Sequence, residues 1–219
     1  MRKRQWSEEF LTSLKNIVLT EEMEQYKGRW QEFFPSQADL PLHLEIGTGK
    51  GRFISEMAQL YLGKVNFIGL EAKGDVLFQA AAKIRAQNLP NVKLLAQNAF
   101  ILPDLFAPGE VERIYLNFCD PWPKTRHAKR RLTHRGFLAK YRTVMGCGGE
   151  IFFKTDNEEL FEFSLNEFAA FGAELKNISL DLYRQNGISS YAANVPTEYE
   201  TKFKERGFKI YRAEVVFIK

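Results

Sequence analysis

From Pro41 onward, short apolar runs alternate with stretches in which apolar residues recur every three or four positions. The runs at 42–46, 65–70, 92–96, 111–118, 151–155, 174–180 and 210–217 predict seven strands. Between them, 51–60, 75–88, 135–144 and 158–171 carry helical spacing, with Asp75 and either Asp156 or Asn157 as expected N-caps. Strands alternating with helices in this way make an α/β protein with a mostly parallel sheet flanked by helices. The last two strands are separated by mainly irregular or helical chain, residues 183–207. The first forty residues depart from the pattern: Trp6, Phe10, Trp30, Phe33 and Phe34 are spaced irregularly among Glu and Gln. They predict an N-terminal arm, residues 1–40, packed by its aromatics on a body of residues 41–219, a single domain overall.

Composition agrees with a folded, water-soluble chain: 219 residues, 45% hydrophobic and 26% charged, leave room for one ordinary core. No segment approaches the roughly 18 uninterrupted apolar residues of a membrane helix. The basic start, Met1 to Trp6, leads into Ser7-Glu8-Glu9 and not into an apolar stretch, so no secretory signal is expected and the location expected is cytoplasmic. Cys119 and Cys147 are too few for a disulfide framework and read as buried thiols. His43, His127 and His134 are scattered and read as structural, so no metal is predicted. A net charge of +4 is too mild to identify a nucleic-acid partner by itself. Its distribution is more informative.

The segment Leu42-His43-Leu44-Glu45-Ile46-Gly47-Thr48-Gly49-Lys50-Gly51 is a strand, three alternate glycines and the start of a helix. Such a loop lets the backbone approach a ligand closely, with helix N–H groups facing it. The G-x-G-x-G spacing differs from the G-x-G-x-x-G of dinucleotide sites. Glu45, just before the glycines, would repel a phosphate and attract a cation. Glu71 ends the next strand, where an acid suits the two hydroxyls of a ribose. Asn98 follows the third strand, with an amide suited to an adenine edge, and Asp120 follows the fourth. An adenosine bearing a cationic amino-acid tail is S-adenosylmethionine, and the layout resembles the Rossmann-like class I methyltransferase fold.

The most distinctive stretch is Asp120-Pro121-Trp122-Pro123-Lys124-Thr125-Arg126-His127-Ala128-Lys129-Arg130-Arg131. Two prolines around a tryptophan stiffen the loop that carries Asp120 and Lys124. From Lys124 through Arg135 there are six Lys or Arg and no acid, a concentrated positive patch suited to phosphates. Together with Glu45 to Gly51, Thr155-Asp156 and Thr197-Glu198-Tyr199-Glu200, this stretch closely resembles the bacterial tRNA (guanine-N7-)-methyltransferase family. The resemblance implies that Glu45, Gly47, Gly49, Glu71, Asn98 and Asp120 bind the methyl donor, and that Asp120 is also catalytic. It implies that Lys124, Asp156, Thr197, Glu198, Tyr199 and Glu200 contact the guanine, a variable-loop base. It implies further that Arg126, His127, Lys129, Arg130 and Arg131 meet the tRNA. The family often has an acid where Asn98 stands and a serine where Cys119 stands.

Read without the resemblance, Asp156 serves equally as a helix cap, and Thr197 with Glu200 forms a capping-box pattern. The polar segment 186–191 suits a loop that orders on RNA, and Arg2-Lys3-Arg4 adds charge at the tip of the arm. Guanine N7 carries a lone pair and no proton, so its methylation requires no general base. Three alternatives remain: methylation of an exocyclic amine or another guanine of RNA, non-catalytic RNA binding on the same fold, and a nicotinamide oxidoreductase. The Trp between the prolines, the full set of strand-end polar groups and Glu45 disfavour them in turn. No obligate protein partner is implied, and nothing in the pattern distinguishes monomer from homodimer.

Overall fold

The computed structural model describes residues 13–34, 40–184 and 195–218. By internal contacts the chain forms two compact units, Met1–Ala107 and Pro108–Lys219.

In the first unit, β1 (Val18–Leu19), β2 (Leu42–Ile46), β3 (Asn66–Leu70) and β4 (Val92–Leu95) pair in the order β1-β4-β3-β2, every pair parallel. All residues of β2 and β3 are buried, as expected for parallel strands covered on both faces. The covering helices are α1 (Arg52–Leu60) and α2 (Gly74–Ala86), followed by the short α3 (Leu102–Leu105). Leu44, Ile54, Ile68, Leu77, Ala80 and Leu94 form the solvent-free centre.

The strand β1, a piece of the arm, adds an eighth strand to the seven predicted. Two residues carry no readable alternation, and β1 exists because the edge of β4 bonds to it, Leu94 N–H to Ile17 O and Ala96 N–H to Leu19 O. Asp75 does not cap α2. The residue before that helix is Lys73, and its N–H is taken by the Glu71 carboxylate, while Asp75 lies in the first turn. The arm is anchored by Trp30, which is 1% exposed, donates from Nε1 to Leu105 O at 2.9 Å and packs on Phe106. Trp6, Phe10 and Arg2-Lys3-Arg4 lie outside the described residues.

In the second unit, β5 (Arg113–Asn117), β6 (Glu150–Thr155), β7 (Glu174–Ser179) and β8 (Tyr211–Val216) pair in the order β5-β6-β8-β7. β5 and β6 are parallel, whereas β8 runs antiparallel to both β6 and β7. The helices are α4 (Arg135–Met145), α5 (Glu158–Ala170) and α6 (Glu198–Glu205). Phe153 of β6 packs on Phe161 and Phe168 of α5, joining helix to sheet. Asn157, one of the two expected caps, accepts from Leu160 N–H at 2.7 Å. The expectation of two buried thiols fails at Cys147, which is exposed in the turn between α4 and β6; Cys119 is half-buried as a residue, with its thiol turned away from solvent. Among the described residues, no helix is long and apolar enough to cross a membrane.

Candidate functional site

In the first unit the glycine loop folds back over the end of β3, where Gly47 N–H and Thr48 N–H both donate to Leu70 O, at 2.8 and 3.0 Å. Gly47 and Gly49 adopt φ of 81° and 58°, a region that L side chains rarely occupy. A Cβ at Gly47 would meet nothing within 4 Å, and one at Gly49 only the Gly47 carbonyl at 3.9 Å. The loop therefore presents bare backbone to open space. At the other end of the loop, Gly51 is packed against α2: a Cβ there would lie 2.6 Å from Ala80 Cβ.

Two acids flank this backbone. Glu45, the fourth residue of β2, is 2% exposed. Glu71 follows β3 and is fixed by two amides, with Gly49 N–H donating to Oε2 at 3.1 Å and Lys73 N–H to Oε1 at 2.9 Å. The Glu71 carboxylate thus stitches the glycine loop to the start of α2, a role no side-chain pattern could reveal because its partners are backbone groups. Asn98 is exposed, and its Oδ1 accepts from Phe100 N–H at 2.9 Å. With Oδ1 so engaged, the amide Nδ2 is the donor left to face a ligand.

In the second unit the loop after β5 is strained. Phe118 and Trp122 have φ of 51° and 44°, in the left-handed region. Asp120 and Lys124 are exposed on this loop. Cys119 has its thiol pushed up to about 12, chiefly by burial, with the neighbouring Asp120 charge adding to the shift.

The basic run forms a 3-10 helix, Thr125–Arg130, wrapped around Trp122. His127 meets the indole edge-on at 5.7 Å and the Arg130 guanidinium lies over it at 4.9 Å. Arg131 donates from Nη2 to Trp122 O at 3.1 Å and lies over Phe163. Arg131 and His127 therefore hold the loop, while Arg126 and Lys129 project from an exposed surface.

Asp156 follows β6. The capping duty that could have absorbed it falls to Asn157, with Thr155 Oγ1 accepting from Asn157 N–H at 3.1 Å. Among the described residues, the side chains of Asp120, Lys124 and Asp156 have no hydrogen-bond or ion-pair partner, the Lys124 carbonyl alone accepting from His127 N–H at 2.8 Å. Thr197 caps α6 in a complete capping box with Glu200. Tyr199 is 53% exposed and packs on Phe118 and Phe203, which brings it beside the Asp120 loop. Glu198 is half-buried. Glu200, in contrast, is completely buried, with Oε1 accepting from Tyr183 Oη and Oε2 from Lys154 Nζ, each at 2.6 Å. Lys154 and Tyr183 were not among the residues singled out in the sequence, since their partner lies 46 and 17 positions away. Segment 186–191 lies outside the described residues.

The sequence profile of a family described as "Putative methyltransferase" matches residues 39–213. A tRNA (guanine-N(7)-)-methyltransferase of Bacillus licheniformis is 50% identical over 214 residues, 98% of this chain and 97% of that protein. The protein of the same name from Bacillus subtilis is 48% identical over 215 residues, again 98% of this chain and 97% of the relative. Among solved structures, the 16S rRNA methyltransferase KamB superposes with a TM-score of 0.63 at 16% identity, covering 86% of this chain and 92% of its own. A SAM-dependent methyltransferase from Aquifex aeolicus gives 0.57 at 10% identity, covering 98% and 100%. The fold is thus the class I methyltransferase fold, the one that the glycine loop and strand-end polar groups resemble. The chain belongs to the family of bacterial tRNA (guanine-N7-)-methyltransferases.

Proposed function

We propose that this protein transfers a methyl group from S-adenosylmethionine to N7 of a variable-loop guanine in tRNA. The observation that carries the reading is the state of Asp120, Lys124 and Asp156, three charged loop and strand-end groups without partners among the described residues, beside a run of exposed cations. Charged groups held on stiff backbone but left unpaired are poised for a ligand. The substrate named for the relatives supplies one of matching chemistry. A cytoplasmic location goes with this reading.

The first unit fits the donor. The open face over Gly47 and Gly49 accommodates close approach of a ligand, the Glu45 carboxylate complements a cationic tail, and Glu71 is pre-oriented by two amides toward a ribose. Asn98 Nδ2 suits the adenine edge. When bound, S-adenosylmethionine supplies an electrophilic methyl group on a sulfonium.

What the protein must do is orient and stabilise. No proton leaves N7, so none of the side chains acts as a base there. Asp120 and Asp156 accept from the N1–H and N2 amino edge of the guanine, and Lys124 donates to O6. The purine gains positive charge as the methyl arrives, and fixed carboxylates favour that change more than the ground state. Holding the reacting atoms in line provides most of the acceleration. Tyr199 bounds the base-facing side. Arg126, Lys129 and Arg130 meet the phosphates, while His127 and Arg131 keep their platform rigid.

The test is incubation with labelled S-adenosylmethionine and unmodified total tRNA, followed by nucleoside analysis. Label in 7-methylguanosine, reduced roughly 100-fold or more by Asp120→Ala, is the expected result. Label in another nucleoside overturns the guanine-edge assignment, and normal turnover in Asp120→Ala removes Asp120 from its role.

A further inference from the structure

The Glu200 carboxylate joins three separate pieces of the second unit: the strand of Lys154, the segment of Tyr183 and its own capped turn. Lys154, in the strand that leads to Asp156, donates to that carboxylate from Nζ at 2.6 Å with only 7% of its side chain exposed. Tyr183 Oη donates at 2.6 Å, and Thr197 N–H closes the capping box at 3.2 Å. Lys154 Nζ also donates to Val195 O at 3.2 Å. The same lysine's carbonyl accepts from Phe118 N–H at 2.9 Å, at the left-handed residue on which Tyr199 packs.

A buried ion pair is weak evidence for stability, because a well-packed apolar pair does as well or better. It does fix one geometry, since each partner is costly to bury if the other moves away. We propose that Lys154 and Tyr183 are positioning residues for methyl transfer: through Glu200 they hold the Thr197–Tyr199 turn, and with it Phe118, at a set place relative to Asp156. On this view Glu200 acts beneath the guanine-facing surface, and Thr197, Glu198 and Tyr199 form that surface. The inference rests on the reading above, in which Asp120, Asp156 and this turn face the guanine.

The experiment compares Tyr183→Phe, Lys154→Met, the double variant Lys154→Met/Glu200→Gln and Asp156→Ala in the full-length protein. Each is measured for kcat, KM for tRNA, donor Kd by calorimetry and thermal midpoint. Tyr183→Phe removes one hydrogen bond to a charged group, so kcat falls roughly tenfold and the thermal midpoint drops by a few degrees, with donor Kd close to wild type. Lys154→Met alone strands the Glu200 charge and is the least stable variant. The double variant recovers the midpoint but keeps the reduced kcat, a split that a purely structural role does not produce. Wild-type kcat and KM in both Tyr183→Phe and the double variant, with Asp156→Ala impaired, overturn the positioning role alone. A wild-type rate in Asp156→Ala overturns the guanine-side reading beneath it.

Discussion

Gly51→Ala separates two costs that usually arrive together. The residue caps α1 with φ of 75°, and Gly63, in the turn after the same helix, has φ of 71°. The left-handed backbone therefore costs an added Cβ about the same at both, roughly 1–2 kcal/mol. Their surroundings differ. A Cβ at Gly63 meets nothing within 4 Å, whereas one at Gly51 lies 2.6 Å from Ala80 Cβ and 2.9 Å from Ala80 Cα. Carbon atoms pack at about 3.5–4.0 Å, so α2 must retreat by about 1 Å, and overpacking of this kind costs roughly 1–3 kcal/mol more. Gly63→Ala should lose only the first amount and Gly51→Ala the sum, about 2–5 kcal/mol. Urea unfolding of both variants beside the wild type gives the two losses. Because α2 starts where Glu71 pins Lys73 and Gly49, Gly51→Ala should also weaken donor binding in a calorimetric titration at a temperature where it is folded. Gly63→Ala should not. Equal losses of stability in the two variants would refute the argument from close approach.

Glu167 accepts from Arg135 N–H at 2.6 Å, Nε at 3.1 Å and Nη2 at 2.7 Å, and the Arg135 side chain holds its carboxyl below the usual carboxylate range. A depressed folded value adds stability that is full above the unfolded pKa of about 4.3 and lost as pH falls through the folded value. The gap in urea midpoint between wild type and Glu167→Gln should be constant from about pH 5 upward and shrink below about pH 4; a gap that persists at pH 3 contradicts the sign. For the basic run, replacing Arg126, Lys129 and Arg130 together by Gln should raise KM for tRNA. It should also flatten the log–log salt dependence by about 2, given about 0.7–0.9 per phosphate contact. Arg131→Gln, which releases Trp122 O, should instead act on kcat, and an unchanged salt slope in the triple variant would take these cations off the RNA.

The main strands and helices were legible because each repeats long enough to show a period, and β2, β3 and the four longer helices lie within a few residues of where alternation puts them. What escaped had no period to read. β1 is two residues borrowed by the edge of β4, and Cys147 faces solvent because it sits in a glycine-flanked turn and not in the strand that follows. The strand-end acids were legible for a similar reason: a charge interrupting an apolar run marks the end where ligands bind. Their partners were not. Glu71 is held by backbone amides, which leave no trace in sequence, and Glu200 reads locally as a capping-box acid, though its buried cation is 46 positions away. A local pattern and a distant one can claim the same side chain, and the nearer is the one sequence reveals.

The Asp-Pro-Trp-Pro loop carries that point furthest. Flanking prolines announce stiffness, but not that Trp122, a residue before proline and so biased to extended backbone, is held at φ of 44°. Such a conformation costs of order 1–3 kcal/mol and persists only where the surroundings fix it. Here they do: Arg131 binds the Trp122 carbonyl, and His127 and Arg130 pack on its ring. Glycine at this position would relieve the backbone and forfeit the ring that organises the basic run. The basic run is therefore more than a charged surface, because Arg131 and His127 within it supply the contacts that keep Asp120 and Lys124 on a strained and rigid support.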